Sequence, residues 1–451
     1  MHILVITTQL FGEPGNGGQL CTARLLHGLL AAGHELTVLG RGPQPRASRS
    51  GLRYVSLGPA VGAFDALPRA AQVLSLAGAW ITQRASTVHR LSQDGAPQQL
   101  ARLLGQGGLA PADACVIDHL QPWAWWANAA RSLRTTLPAP LLVMHNLESD
   151  GYVARAQAAA ETGQRLSQLV YAREARLLRH LETQALRACA AVACLSAQDA
   201  LRLRGLAAAA GASPPVLVLP GYPRLDSPVS AGMQSAGTHR PGTRAPGPIR
   251  IGLVGTWTWG PNRQALDWML SAVLPHLPAG VELLLAGDGL QALHLPLVQH
   301  SSAAAAAAVH VLGRVADLDR FYGDVDVLAL PSLSGSGAHE KSIEAIHRAP
   351  RVVATLHALR GLGSALPAHI QVADDPLDFA RLCARPLASA PERDDAVVLR
   401  WSQRRQRQYQ QALVQCLQAL RQQAPGRASR PALEPVEQHP RDDWQDAQKT
   451  R

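Results

Sequence analysis

Lysine is almost missing from this chain of 451 residues: Lys341 and Lys449 are the only two, although Lys and Arg together number 43. Arginine carries nearly all the positive charge, so a lysine in mid-sequence marks a position where a compact ammonium on a flexible stem is wanted. Aromatic residues are also scarce, at 4%. With no RNP-like, zinc-finger or basic-zipper pattern beside them, the formal net charge of +10 is all that favours nucleic acid, and no nucleic-acid partner is expected. The six cysteines, Cys21, Cys115, Cys189, Cys194, Cys383 and Cys416, are scattered without a C-x-x-C pair. That pattern fits neither a disulfide framework nor a zinc site and implies a reducing compartment. No apolar run reaches the roughly 18 residues of a membrane span, and the sequence enters "HILVI" without a basic leader, so a cytoplasmic location is expected. Metal-ligand spacing and a nucleophile elbow are both missing, and neither metal nor organic cofactor is expected. A dehydrogenase is excluded as well, since "GEPGNGG" does not fit G-x-G-x-x-G and "LTVLGRG" ends without an acidic residue for a ribose.

What is present is a globular composition, 47% hydrophobic and 17% charged, on a length that suggests two or three domains. "MHILVITTQL", a glycine loop, a helical stretch over 19–32 and "GHELTVLGRG" read as strand, loop, helix, strand, the opening of a doubly wound α/β domain. The runs "DACVIDHL", "PLLVMHN", "AAVACLS" and "PVLVLPG" read as buried parallel strands between long helical stretches, one of them spanning 157–190. Residues 227–248 are rich in Gly, Pro, Ser and Thr without apolar periodicity and read as a flexible linker. A second α/β pattern follows with five strand-like runs, "IRIGLVGTW", "VELLLAGDG", "VHVLGRV", "VDVLALPS" and "RVVATL". The alanine run 303–308 reads as helix. The expected organisation is an N-terminal domain over 1–226, the linker, a second domain over 249–393, a helix over 394–424 and a disordered tail over 425–451.

The marked lysine stands in "SGSGAHEKSIEAIHRAP", where a strand leaves through a glycine-rich loop into a helix. Such a loop presents free N–H groups and the positive end of the helix dipole, a ready phosphate site to which Lys341 adds a point charge. Glu344, one turn on, is placed to accept from sugar hydroxyls. The plain alternative is an i,i+3 Lys341–Glu344 surface pair worth about 0.2–0.5 kcal/mol.

"GSGAHEKSIEA" followed by "RVVATLHALRGL" resembles the G-S-G-x-x-x-K-x-x-E-A and P-V-V-x-T segments of retaining glycosyltransferases of family 4. The resemblance extends to "GLVGTWTWGPNRQALDWMLSAVLP", "LLAGDG", "VLGRVADLDRFYGDVDVLALPS", "MHNLESDGY" and "ACLSAQDALRL", most of residues 1–380. It implies an α/β GT-B fold, two Rossmann-like doubly wound domains facing a central cleft. It also implies transfer of a sugar from a nucleoside diphosphate sugar, as co-substrate, to a hydroxyl acceptor that is a glycan or lipid-linked. Gly255, Asn262, Arg263, Gly287, Arg314, Val315, Ser336, Gly337, Lys341 and Glu344 would then surround the donor, with Glu344 on the ribose and Lys341 near the diphosphate. Two departures stand out. Ser336 occupies the position eight before Glu344 where the family often has a first glutamate, and "LPGYPRLD" stands where a P-N-G-V-type junction is expected. The rival readings are a catalytically idle GT-B protein binding sugar nucleotides or partners, and a GT-B epimerase.

On the N-terminal side, Gly17 and Gly18 either bring backbone close to donor or acceptor or simply serve a tight turn. His119 and His145 each follow a strand-like run and are the candidate catalytic residues there, beside Lys341. Their alternative is a structural role. The tryptophans of "PWAWW" either stack on an acceptor or fill the core. Arg165, Arg173, Arg176 and Arg179, with Arg400, Arg404, Arg405 and Arg407, form either a solvated basic face or one laid against anionic lipid at the inner face of a membrane.

Overall fold

The computed structural model describes residues 1–45, 50–62, 64, 67–105, 108–133, 138–223, 247–290, 308–335, 340–386 and 389–422. The tail over 425–451 and the expected linker, apart from residues 247 and 248, lie outside the described residues. In the N-terminal half, β1 (His2–Gln9), β2 (Glu35–Arg41), β3 (Leu52–Ser56), β4 (Ala114–Asp118), β5 (Leu141–Met144), β6 (Ala191–Cys194) and β7 (Val216–Val218) form one sheet. Its order is β3-β2-β1-β4-β5-β6-β7, with every adjacent pair parallel. Helices α1 (Gly17–Ala31), α2 (Arg69–Ile81), α3 (Ser86–Leu91), α4 (Ala96–Gly105), α5 (Leu120–Leu133), α6 (Glu148–Glu161), α7 (Arg165–Ala188) and α8 (Ala197–Ala209) connect them.

Strand residues alternate between two cores, as a period of two requires. Ile6, Ile117 and Leu142 face α5 and α7, whereas Ile3, Val5, Val116 and Leu141 face α1. Trp123, Trp125 and Trp126 of α5 are at most 5% exposed, so "PWAWW" is core. The helix expected over 157–190 is two helices, broken where Gly163 takes φ +72° and reverses the chain.

The C-terminal half repeats the plan with β8 (Ile249–Val254), β9 (Val281–Ala286), β10 (Ala308–Gly313), β11 (Val327–Leu330), β12 (Val352–Ala354) and β13 (Ile370–Val372) in the order β10-β9-β8-β11-β12-β13, again parallel. Six strands stand where five were expected, and Ala308, expected in a helix, opens β10. The rest of that alanine run lies outside the described residues. The connecting helices are α9 (Gly260–Trp268), α10 (Leu318–Asp324), α11 (Glu340–Arg348) and α12 (Pro376–Cys383).

A last helix, α13 (Asp395–Gln422), returns to the N-terminal half. Its Trp401 belongs to the core of the second sheet, whereas Tyr409, Leu413, Cys416, Leu417 and Leu420 complete the α1 side of the first. Gly28 lets the two helices touch, because a Cβ there would stand 2.7 Å from Leu413 Cδ2. Burial removes two of the eight arginines from the expected basic face. Arg173 is buried and donates to Ala79 O and Glu174, and Arg405 is buried and donates to the carbonyls of Gly221, Leu362 and Gly361. Arg179 is tied to Asp150 at 2.8 Å. No helix among the described residues is long and apolar enough to cross a membrane.

Candidate active site

The carboxyl ends of the two sheets meet, and most of the expected residues gather there in two groups. In the N-terminal half, α1 begins at the end of β1, capped by the Asn16 side chain, which accepts from Gln19 N. Gly17 touches the other half, since a Cβ on it would lie 3.3 Å from Glu340 Cβ. Gly18 faces the two histidines, whose nearest ring atoms would be 3.8 and 3.9 Å from its Cβ. The rings of His119 and His145 lie 3.7 Å apart, tilted by 35°. His119 takes φ +74°, a left-handed conformation rarely adopted by a side-chain-bearing residue and held here by surrounding structure.

Asp118, fully buried at the end of β4, organises this group. It accepts from Thr7 Oγ1 at 2.9 Å, Thr22 Oγ1 at 2.6 Å and His145 Nε2 at 2.8 Å. Burial alone would raise its pKa, but the two imidazoles and the hydroxyls outweigh it and hold the carboxyl well below the usual range. Asp118 therefore fixes the His145 ring and leaves Nδ1 buried, with no hydrogen-bond partner among the described residues. Donor atoms of Asp118, His119 and His145 lie within 4.8 Å of one another, a spacing seen in metal sites. Hydrogen bonds already occupy both Asp118 oxygens, whereas His145 Nδ1 stays without a partner among the described residues.

Burial, and then the neighbouring His145, lower the His119 pKa to about 4 against the opposing pull of Asp118. The unfolded chain takes up this proton first on acidification, so the contribution is complete above about pH 6.5 and is lost as pH falls toward 4. The shift is worth on the order of 3 kcal/mol. Thermal melts of the wild type should fall more steeply between pH 6.5 and 4 than those of His119→Asn, a residue that also tolerates the left-handed backbone. Parallel curves would assign the acid sensitivity to other groups.

In the C-terminal half, Gly255 and Gly287 lie against each other where β8 and β9 end. Gly287 has φ +122° and a Cβ there would fall 1.8 Å from Gly255 O, so no other residue fits. Asn262, in the first turn of α9, donates through Nδ2 to Thr256 O at 2.9 Å and accepts through Oδ1 from Lys341 Nζ at 2.9 Å. Burial lowers the Lys341 pKa to about 8, and no carboxylate pairs with its ammonium among the described residues.

The Lys341–Glu344 pair of the plain alternative is not formed. Glu344 turns to Arg348 at 2.9 Å, and Arg348 also binds Asp319. Arg263 is exposed on α9. Arg314 is exposed at the end of β10, 3.9 Å from Asp288, and Val315 packs on the edge of the core. These three are not drawn into the group around Lys341. Ser336 and Gly337 lie outside the described residues.

Sequence reasoning missed the contacts that join the halves. Glu340, next to Lys341, binds Arg24 of α1 at 2.5 Å and accepts from Cys21 Sγ at 3.3 Å. Arg360 binds Asp199, and Arg155 stands 5.8 Å from the ring centre of Trp259. An acidic residue beside the marked lysine was the visible signal for the first of these, but nothing in the spacing named its partner.

No curated protein matches the sequence. In structure the chain is similar to sucrose-phosphate synthase from Thermosynechococcus elongatus, at 17% identity over 93% of this chain and 98% of that one, with a TM-score of 0.56. It is similar to alpha,alpha-trehalose 6-phosphate synthase from Burkholderia multivorans at 14% identity over 93% and 98%, with a TM-score of 0.57. An E. coli trehalose-6-phosphate protein bound with UDP-2-fluoro glucose matches at 13% identity over 93% and 99%, with a TM-score of 0.56. Residues 248–388 match the family model of Glycosyl transferases group 1. The chain thus has the GT-B fold, and its C-terminal half carries a glycosyl transferases group 1 domain.

Proposed function

We propose that this protein is a retaining glycosyltransferase that moves a sugar from a nucleoside diphosphate sugar to a hydroxyl of a glycan or lipid-linked acceptor. The carrying observation is Lys341, a half-buried ammonium held by a neutral amide, with no carboxylate paired to it among the described residues. Burying a cation without a counter-charge is unfavourable, and an anionic ligand removes the penalty. The diphosphate of the donor supplies that charge. Gly255 and Gly287, with no side chains, let the phosphates approach the backbone, and the N-terminal turn of α11 adds its dipole.

As the bond from the anomeric carbon to the diphosphate breaks, the electron pair leaves with the phosphate oxygen, the acceptor hydroxyl oxygen bonds to the anomeric carbon on the same face, and its proton passes to the departing diphosphate. Lys341 and the helix N–H groups stabilise the charge that develops there. His145 Nδ1, with Asp118 fixing the opposite nitrogen, accepts from a hydroxyl of the transferred sugar, and His119 stays neutral beside it. The resemblance of the donor segment to retaining enzymes carries the stereochemistry. UDP-2-fluoro glucose bound to the E. coli neighbour supports a nucleotide-sugar donor of this kind.

The test is incubation with a panel of nucleoside diphosphate sugars and saccharide acceptors, with the anomeric configuration of any product read by NMR. A new glycoside of the donor's own configuration is the expected result. Inverted product would remove retention, an epimerised donor would favour an epimerase, and binding without turnover would favour an idle sugar-nucleotide module.

A further inference from the structure

Helix α2 presents its apolar side to solvent. Val73, Leu74, Trp80 and Ile81 are 65, 72, 45 and 82% exposed, whereas the residues it buries are Ser75 and Ala79. Ala70, Val73, Leu74, Ala77, Trp80 and Ile81 follow one another at helical spacing and make a continuous stripe. The stripe runs onto a second helix. Arg173 of α7 donates to Ala79 O at 3.0 Å and lies over the Trp80 ring at 4.5 Å. Leu169 and Leu166 precede Arg173 by one and two turns on the same face of α7 and are 58 and 77% exposed.

Charge selects what covers this surface. Arg69 and Arg84 stand exposed at the two ends of α2, Arg165 and Arg176 are exposed on α7, and residues 67–93 contain no aspartate or glutamate. A second copy meeting the first through this stripe would bring arginines against arginines. An anionic bilayer meets both features, with the apolar stripe entering the headgroup boundary and the arginines reaching phosphates.

We propose that α2, with Leu166 and Leu169 of α7, is a docking face for an anionic lipid surface. It keeps Arg165 and Arg176 of the arginine face suggested by the sequence but not Arg173 and Arg405, which are buried, and adds the apolar stripe of α2. A chain of contacts links the face to the other half. Glu174, beside Arg173, accepts from Ser86 N and Oγ just beyond α2. Arg155 of the adjoining α6 stands over Tyr152 on one side and Trp259 of the other half on the other. Docking through α2 would hold the junction of the two halves near the membrane. The proposal is independent of the glycosyltransferase reading, because its test measures binding alone.

The experiment is co-sedimentation of the full chain with phosphatidylcholine vesicles, with and without phosphatidylglycerol. It compares about 0.1 M salt, where the Debye length is about 10 Å, with about 1 M, where it is about 3 Å. Wild-type protein should pellet with the anionic vesicles at low salt. Leu74→Glu/Ile81→Glu should bind about tenfold more weakly or less, since each change removes an apolar side chain and adds a repelled charge. Both positions are already in water, and an unchanged thermal melt verifies that the fold is kept. Arg400→Glu/Arg404→Glu, exposed on α13, should bind as the wild type does. Three results would overturn the proposal: no pelleting with anionic vesicles, equal pelleting of the wild type and the α2 variant, or an equal loss in the α13 variant. A wild-type dimer that Leu74→Glu/Ile81→Glu turns into monomer would give the face to a second copy instead.

Discussion

Replacing Lys341 with alanine lowers sugar transfer about 100- to 1,000-fold and leaves the folded protein at least as stable as before. The first half of this expectation follows from electrostatics: a charge-stabilising group in a site closed to water typically contributes that much to the rate. The second follows from burial. Lys341 is held at a pKa of about 8 by desolvation alone, so its ammonium is a burden on the unliganded fold that alanine removes. A surface salt bridge would behave in the opposite way, with activity kept and a few tenths of a kcal/mol of stability lost. The same pKa sets a pH signature. In the free enzyme Lys341 loses its proton as pH rises through about 8, so kcat/KM for the donor should decline there, while kcat at saturating donor holds to higher pH because the bound diphosphate retains the proton. Identical limbs in the two profiles, or near-normal turnover of Lys341→Ala, would take the diphosphate away from this residue.

Removing the neighbouring carboxylate is expected to act on the fold instead. Glu340→Ala should destabilise the protein by about 3–5 kcal/mol, the usual consequence of leaving one member of a buried ion pair alone. Arg24 would be the stranded charge. Its side chain is 5% exposed, it lies 5.3 Å from the Tyr222 ring centre, and Glu340 is its partner across the junction of the halves. The double variant Arg24→Met/Glu340→Leu should recover much of the loss, since a pair of apolar side chains replaces the pair of charges. Urea unfolding of Arg24→Met, Glu340→Leu and the double variant closes the cycle. Additive losses would mean that the two residues are not coupled.

The sequence was legible where chemistry repeats and opaque where contacts are distant. Strands β4 to β7 were readable as apolar runs because helices cover both faces of a parallel sheet. β3, at the sheet edge, alternates as "LRYVS", and β13 is only three residues, "IQV", too short for a periodic signal. The break between α6 and α7 was signalled by Gly163, but its positive φ is a property of the folded chain. His119, His145, Gly17 and Gly18 were singled out by their positions after strands, and the parallel order brings such positions together. The Asn262 amide on Lys341 lies 79 residues away in sequence, and Arg24 is 316 residues from Glu340. No spacing rule reaches so far. Arginine misled for a related reason: a run of arginines looks the same on paper whether it faces water or, like Arg173 and Arg405, caps carbonyls in the interior.

Helix α13 also sets an order of events during synthesis. The α1 side of the first sheet is finished by Tyr409, Leu413, Cys416, Leu417 and Leu420, each worth about 1.5–3 kcal/mol of apolar burial. A nascent chain that has emerged only as far as β7 has all the strands of this sheet and α1, but lacks the helix that completes the layer on that face. At about 5–20 residues per second, the missing layer arrives about 10–40 s later, after the whole second sheet has been made. Through that interval the part of this face over β6 and β7, together with the flank of α1, is a sticky surface on an incomplete domain. The first half to be translated is thus the last to be sealed, and expressing residues 1–223 alone should yield aggregates, whereas supplying residues 395–422 in trans should restore soluble protein.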